Sequence, residues 1–196
     1  MIDQSIFAFW LNEGNKHIQP GNTPVLHEGW DARLFLRELF TEDEYGFVVD
    51  IGCGYGRLSK AFNPTNYMGL DFCEKNITKA REDYPEYKFH QIDSTLYPMS
   101  DTKILFYVLL HQSDEDIESI VKLLCDSSKR IVVAEVCGRE WRRKGNPPVF
   151  NRNVEEYIKL FADNGKDSLT IINKSYIPYE EKYVDRNTDV NIMVFE

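Results

Sequence analysis

The stretch Val48-Val49-Asp50-Ile51-Gly52-Cys53-Gly54-Tyr55-Gly56-Arg57 decides the fold. It reads as a short buried strand that runs into glycines at alternate positions and then into a helical segment, Arg57 to Phe62. At such a turn, glycine supplies backbone angles that other residues avoid and lets the main chain come close to a ligand. A dinucleotide fingerprint, GxGxxG counted from Gly52, requires glycine at position 57, where this chain has Arg57. The nicotinamide reading fails on that residue.

Outward from this loop, strand and helix patterns alternate. Upstream, Ala32, Phe35, Leu36, Leu39 and Phe40 fall at helical spacing within Asp31 to Phe40. Downstream, 67–71 reads as a second strand, followed by a helix from Glu74 that must stop before Pro85, because the residue preceding proline is pushed out of the helical region. A third strand covers 87–93. The continuous apolar run 103–110 is what a central parallel strand covered on both faces requires. Ser113 and Asp116 then form a capping box ahead of the stripe Ile117, Ile120, Val121, Leu124 and Cys125. A fifth strand spans 130–136, and a helix from Val154 to Ala162 opens with Asn153 and Glu156 and closes at Asn164-Gly165. The last two strand-like runs, 169–177 and 190–196, have no helical stripe between them and read as an antiparallel pair. The pattern predicts an α/β protein with a doubly wound, mostly parallel seven-stranded sheet and an antiparallel C-terminal strand. Its ligand is expected beyond the carboxyl ends of the first strands, at the topological switch point.

The 196 residues, 42% hydrophobic and 28% charged, suit one domain with a real core, so 1–196 is expected to be a single unit. No run is long and apolar enough to cross a bilayer. The formal net charge of -9 repels polyanions and disfavours nucleic acid as a partner. The four cysteines stand singly and the opening residues lack a basic n-region, which together predict free thiols, no structural zinc and a reducing, cytoplasmic setting. His17, His27 and His90 show no metal-ligand spacing, and no metal is expected.

Asp50 followed by Gly52, Gly54 and Gly56 resembles motif I of the class I S-adenosylmethionine (SAM) methyltransferases, in the form D-x-G-x-G-x-G. The resemblance extends over most of the chain and implies a Rossmann-like sandwich with SAM as cofactor and S-adenosylhomocysteine (SAH) as product. Asp71, at the end of the second strand, stands where a nucleoside ribose is expected on both the physical reading and the family pattern. A carboxylate there accepts from both ribose hydroxyls, and Phe72 beside it is placed to pack on adenine. By the resemblance, Asp93 and Ser94 after the third strand bind the adenine amino group, the glycines face the methionine part, and Arg57 reaches its carboxylate. Asp50 either supports the cofactor or holds the glycine loop by hydrogen bonds. Tyr107 is similarly either a cofactor contact or core.

SAM carries an activated methyl group, so the protein need only align an acceptor and, where required, remove its proton. His111, in Tyr107-Val108-Leu109-Leu110-His111, resembles the histidine of the "VLHHLPD" segment of small-molecule methyltransferases and is the candidate general base, unless it merely closes the fourth strand by local hydrogen bonds. Glu135 ends the fifth strand, as a charge facing the cleft or as a solvated strand end. Trp10 and Trp30 belong to a segment, 1–30, that in the family builds a lid and acceptor pocket. Arg142, in the basic run from Arg139 to Lys144, either grips an anionic acceptor or lies on a solvated loop; Arg152 either lines the cleft or braces the loop. These features predict methyl transfer to an oxygen or nitrogen of a small molecule. The alternatives are a protein or peptide N-terminal amine as acceptor, and a noncatalytic SAM-binding partner subunit.

Overall fold

The computed structural model describes residues 8–11, 26–27, 30–92, 97–139, 142, 148–175 and 189–196. One sheet contains the strands β1 (Val48–Ile51), β2 (Tyr67–Asp71), β3 (Lys88–Gln91), β4 (Ser100–Phe106), β5 (Ser128–Val136), β6 (Ser168–Ser175) and β7 (Asp189–Phe195). Their order across the sheet is β3-β2-β1-β4-β5-β7-β6. β1 pairs in parallel with both β2 and β4, while β7 runs antiparallel to both β5 and β6. The direction of winding therefore reverses between β1 and β4, which opens a crevice at their carboxyl ends. The expected sheet, with its single antiparallel strand, is what forms.

Alternation along the strands divides the core into two layers. On β5, Val132, Ala134 and Val136 face one layer, while Ile131 and Val133 face the other. The first layer is covered by α1 (Ala32–Leu39) and α3 (Glu74–Asp83), with the one-turn α2 (Glu42–Tyr45) between them in sequence. The second is covered by α4 (Ile117–Asp126) and α5 (Val154–Ala162). The predicted caps hold at α5, where Asn153 and Glu156 form a reciprocal box. At α4 the Ser113 and Asp116 side chains pair at 3.2 Å, yet they close the turn ahead of the helix rather than cap Ile117.

Two expectations are corrected. The segment after the glycine loop is no helix but a single 3-10 turn, Ser59–Ala61. Phe62 is already extended, and Asn63, held at ψ 132 by the proline after it, blocks any helical continuation before the next short turn at Pro64–Asn66. The fourth strand does not run to 110 but ends at Phe106, because Tyr107 has a φ of 61 and turns the chain away from the sheet. Lys103, fully buried in β4, is accommodated because its Nζ donates to Ser127 O at 2.6 Å and to Pro98 O and Ser100 Oγ at 3.0 Å. The four cysteines are buried free thiols, and no helix among the described residues is long and apolar enough to cross a membrane.

Candidate functional site

The glycine loop hangs from β2. Gly52 N and Cys53 N both donate to Leu70 O, at 2.8 and 3.0 Å, and Gly54 N donates to the Asp71 carboxylate at 2.9 Å. Gly52, Gly54 and Gly56 all have positive φ, but they serve different purposes. A Cβ on Gly52 would stand 2.6 Å from a Val108 methyl, and one on Gly56 would stand 2.6 Å from the Phe89 ring. Those two positions lack side chains so that the protein can pack. A Cβ on Gly54 would meet nothing within 4 Å, so only this glycine turns its bare face to open space beside a carboxylate. That is the form of a backbone cradle for a ligand, and it fits a nucleoside with a polar tail.

Asp71 is 7% exposed at the end of β2. Its second oxygen accepts from Cys73 N at 2.8 Å and from the Asn76 amide at 3.4 Å, so the carboxylate also holds the entry to α3. Burial raises its pKa, while the bonds from Cys73, Gly54 and Asn76 oppose the rise. Asn76 was not singled out from the sequence. The signal was its place five residues after Asp71, in the first turn of the helix that follows.

Asp50 lies beneath the loop, 1% exposed, and accepts from Tyr67 Oη at 2.7 Å rather than from loop N–H groups. Burial pushes its carboxyl up to about 7, against the pull of the Tyr67 bond and the Arg57 charge. It supports the site from below, and the structure gives it no open face toward a cofactor. Arg57 reaches across the switch point, donating from Nη2 to Phe106 O at 3.0 Å with its guanidinium 5.6 Å from the Tyr107 ring centre. Phe72 stands partly buried beside Asp71. Asp93 and Ser94 lie outside the described residues, and so does the side chain of Trp30.

His111 closes a 3-10 turn, Leu109–His111, that follows Tyr107, instead of ending a strand. Its Nδ1 is 3.4 Å from Pro148 O, and its ring meets Trp10 edge to face at a centroid distance of 5.2 Å. The helical turn at 8–11 therefore covers His111, a contact between residues a hundred positions apart that no local pattern announces.

The structure corrects the three remaining candidates. Glu135 does not face the cleft. It is fully buried in the second core layer, where its carboxylate accepts from the N–H groups of Val108, Leu109 and Leu110. A strand-end carboxylate meets main-chain donors there before it can meet solvent. Arg142 is not open to an anionic acceptor, because Asp114 holds it in a two-pronged pair at 2.6 and 2.8 Å while its Nε donates to Asn151 O. Its charge is already matched, and the two arginines beside Asp114 hold that carboxyl down at about 2. Arg152 is 2% exposed and donates to carbonyls of Leu109, Phe150 and Gln112 and to Asp114, so it braces the loop and does not line the cleft.

A family model described as a methyltransferase domain matches residues 48–130. No curated protein matches the chain. Among solved structures, magnesium protoporphyrin IX methyltransferase (ChlM) from Synechocystis PCC 6803 with bound SAM is similar, with a TM-score of 0.71 at 16% identity over 100% of this chain and 97% of that one. The [4+2]-cyclase SpnF is similar with a TM-score of 0.67 at 16% identity, over 83% of this chain and 79% of that one. A putative methyltransferase in complex with the Haloferax volcanii Trm112 methyltransferase activator gives 0.65 at 16% identity, over 83% and 86%. These likenesses share the fold, and that fold carries more than one reaction.

Proposed function

We propose that this chain is a class I SAM-dependent methyltransferase and transfers the methyl group of SAM to an oxygen or nitrogen of a small-molecule acceptor. The observation that carries this reading is the open face of Gly54 beside the Asp71 carboxylate, at the switch point between β1 and β4. The loop backbone takes the methionine end, Arg57 its carboxylate, Asp71 the ribose hydroxyls, and Phe72 with Asp93 and Ser94 the adenine. SAM supplies a methyl group already activated on a sulfonium centre. What remains for the chain is to orient the acceptor, exclude water and accept a proton.

His111 is the base in this reading. A hydrogen donated from Nδ1 to Pro148 O leaves Nε2 as the basic nitrogen of the neutral ring. Trp10, in the turn at 8–11, packs against His111 and in this reading covers the acceptor. A small-molecule acceptor is favoured because, among the described residues of the basic run, both cations are already paired, Arg139 with Glu156 and Arg142 with Asp114.

Gly54→Ala tests the cradle. The new Cβ meets no protein atom but strains a φ of 54, so the fold should lose only about 1 kcal/mol. A methyl group in the place of a bound ligand should lower SAH affinity at least tenfold, which calorimetry on the folded variant measures. Unchanged affinity would remove Gly54 from the binding surface.

The function itself is tested by calorimetry with SAH and by turnover of labelled SAM by the isolated protein. One molecule of SAH bound per chain, with methyl transfer to phenol, carboxylate or amine acceptors, is the expected result; no binding overturns the assignment. The noncatalytic partner-subunit reading predicts SAH binding with no turnover at all; the structural likeness to the putative methyltransferase held by the Trm112 activator favours a different second reading, a methyltransferase that needs a protein activator. That second reading predicts binding without turnover until a second protein is added.

A further inference from the structure

The turn carrying Tyr107 and His111 is gripped from both sides. Its amides point toward Glu135 on the neighbouring strand. One carboxylate oxygen accepts from Val108 N at 2.9 Å and Leu109 N at 2.7 Å, and the other from Leu110 N at 3.4 Å. Its carbonyls point the other way. Arg152 donates to Leu109 O at 3.3 Å and to Gln112 O at 3.0 Å, and Phe150 N donates to Leu110 O at 2.7 Å. A 3-10 turn this short satisfies few of its own groups, and it is here closed at its amino end by a carboxylate and at its carboxyl end by a guanidinium. These are also the signs that the turn's dipole favours at each end.

Tyr107 shows why such a grip is needed. A φ of 61 on a bulky residue costs of order 1–3 kcal/mol and persists only where the surroundings over-determine the backbone. That residue is where β4 leaves the sheet, so its angle sets where His111 arrives four residues later. Locally the turn has only its own main-chain bonds, from His111 N to Val108 O at 3.2 Å and from Gln112 N to Leu109 O at 3.0 Å, and Val108 at its head supplies no side-chain cap. The stabilising groups come from β5 and from the residues just before α5.

We propose that Glu135 and Arg152 are positioning residues for methyl transfer, a two-sided clamp that holds the 107–112 turn so that His111 and Tyr107 keep their places at the cleft. The clamp's catalytic meaning rests on His111 being the base. Asp114 completes it by pairing with Arg152 at 2.7 Å and with Arg142, which in turn donates to Asn151 O. Burial pushes the Glu135 carboxyl up to about 8 against the pull of the three main-chain donors, while the buried Arg152 guanidinium is matched by its ion pair with Asp114. Neither residue touches the cofactor or the acceptor, and neither exchanges a proton in the reaction.

The test uses Glu135→Gln, with Arg152→Gln as a second variant attacking the clamp from its other side. The readouts are SAH binding by calorimetry, amide hydrogen exchange, and the imidazole resonances of histidine-labelled protein. Glutamine keeps the shape and one acceptor oxygen, but its NH2 group replaces the other and stands against an amide that needs an acceptor, which loosens the turn. We expect SAH affinity within threefold of wild type, exchange at Val108, Leu109 and Leu110 at least tenfold faster, and shifted His111 resonances. The His90 resonances on β3 should stay in place. Unchanged exchange and an unmoved His111 signal, in a variant that still binds SAH, overturn the clamp. Exchange accelerated equally in β1 and β2 also overturns it, because that reports general loosening of the sheet. A wild-type protein that fails to bind SAH would instead sink the functional reading while leaving the exchange result to judge the clamp by itself.

Discussion

Asp71→Ala should weaken SAH binding by roughly a hundredfold or more. Two bonds from ribose hydroxyls to a carboxylate are worth about 1.5 to 3 kcal/mol each. Even the lower figure for both amounts to about 3 kcal/mol, or two powers of ten. The substitution also releases Gly54 N and Cys73 N, the two main-chain donors that fix the loop and the start of α3 to this side chain. Cofactor contact and loop position are therefore lost together. Asp71→Asn separates them: it keeps an acceptor and the shape but not the charge, and should fall between wild type and alanine. Because burial raises the Asp71 pKa above its usual 3.8, and only the ionised form accepts from both hydroxyls at full strength, acidification should weaken SAH binding from a pH above 3.8. Calorimetry across pH reads both effects. An alanine variant that binds SAH within threefold of wild type would show that the ribose lies elsewhere.

The second large effect is expected at His111. Loss of a general base typically costs about 10² to 10⁴ in rate. His111→Ala should lower kcat in that range while SAH affinity changes less than twofold, since the ring packs on Trp10 and not on the glycine loop. His111→Phe is the sharper variant. It preserves an aromatic ring against Trp10, 5.2 Å away in the native pair, but cannot accept a proton. Equal loss in both variants assigns the loss to proton transfer. Recovery of rate in the phenylalanine variant would return His111 to a packing role under the 8–11 turn. Initial rates with labelled SAM, in whatever acceptor the wild-type protein methylates, decide between these outcomes.

The sheet was legible because its information is local. Val48 to Ile51, Ile131 to Val136 and the stripe on α4 announce their burial through period and composition, and the glycines mark the crossover that determines where a ligand goes. The polar side chains near the cleft were harder to read. Glu135 reads as a cleft charge or a solvated strand end, and Arg152 as a cleft residue or a loop brace, because a charge at a strand end or before a helix is normally exposed; only the brace is what forms. Their partners are main-chain groups of Val108 to Gln112, more than two dozen residues away in sequence. Arg142 looked like a free cation in a basic run because its pairing with Asp114 joins two loops whose meeting no spacing reveals. The helix expected after Arg57 failed for the opposite reason, a local one: Asn63-Pro64 was present in the sequence and stops any helix there.

By itself, the sequence determined the α/β class, the mostly parallel sheet with its antiparallel C-terminal strand, and the glycine loop after the first strand, with Asp71 as the expected address of a ligand. Periodicity and backbone sterics act over a few residues and survive without the fold. Only the tertiary structure decided which of the three loop glycines faces open space, which charges are already matched, and how Tyr107 is held at a positive φ ahead of the turn that carries His111. These depend on where a Val108 methyl, a Phe89 ring, an Asp114 carboxylate and a Glu135 carboxylate come to rest. A hydrogen bond or a steric contact is effective over a few ångströms of space, whatever the separation along the chain.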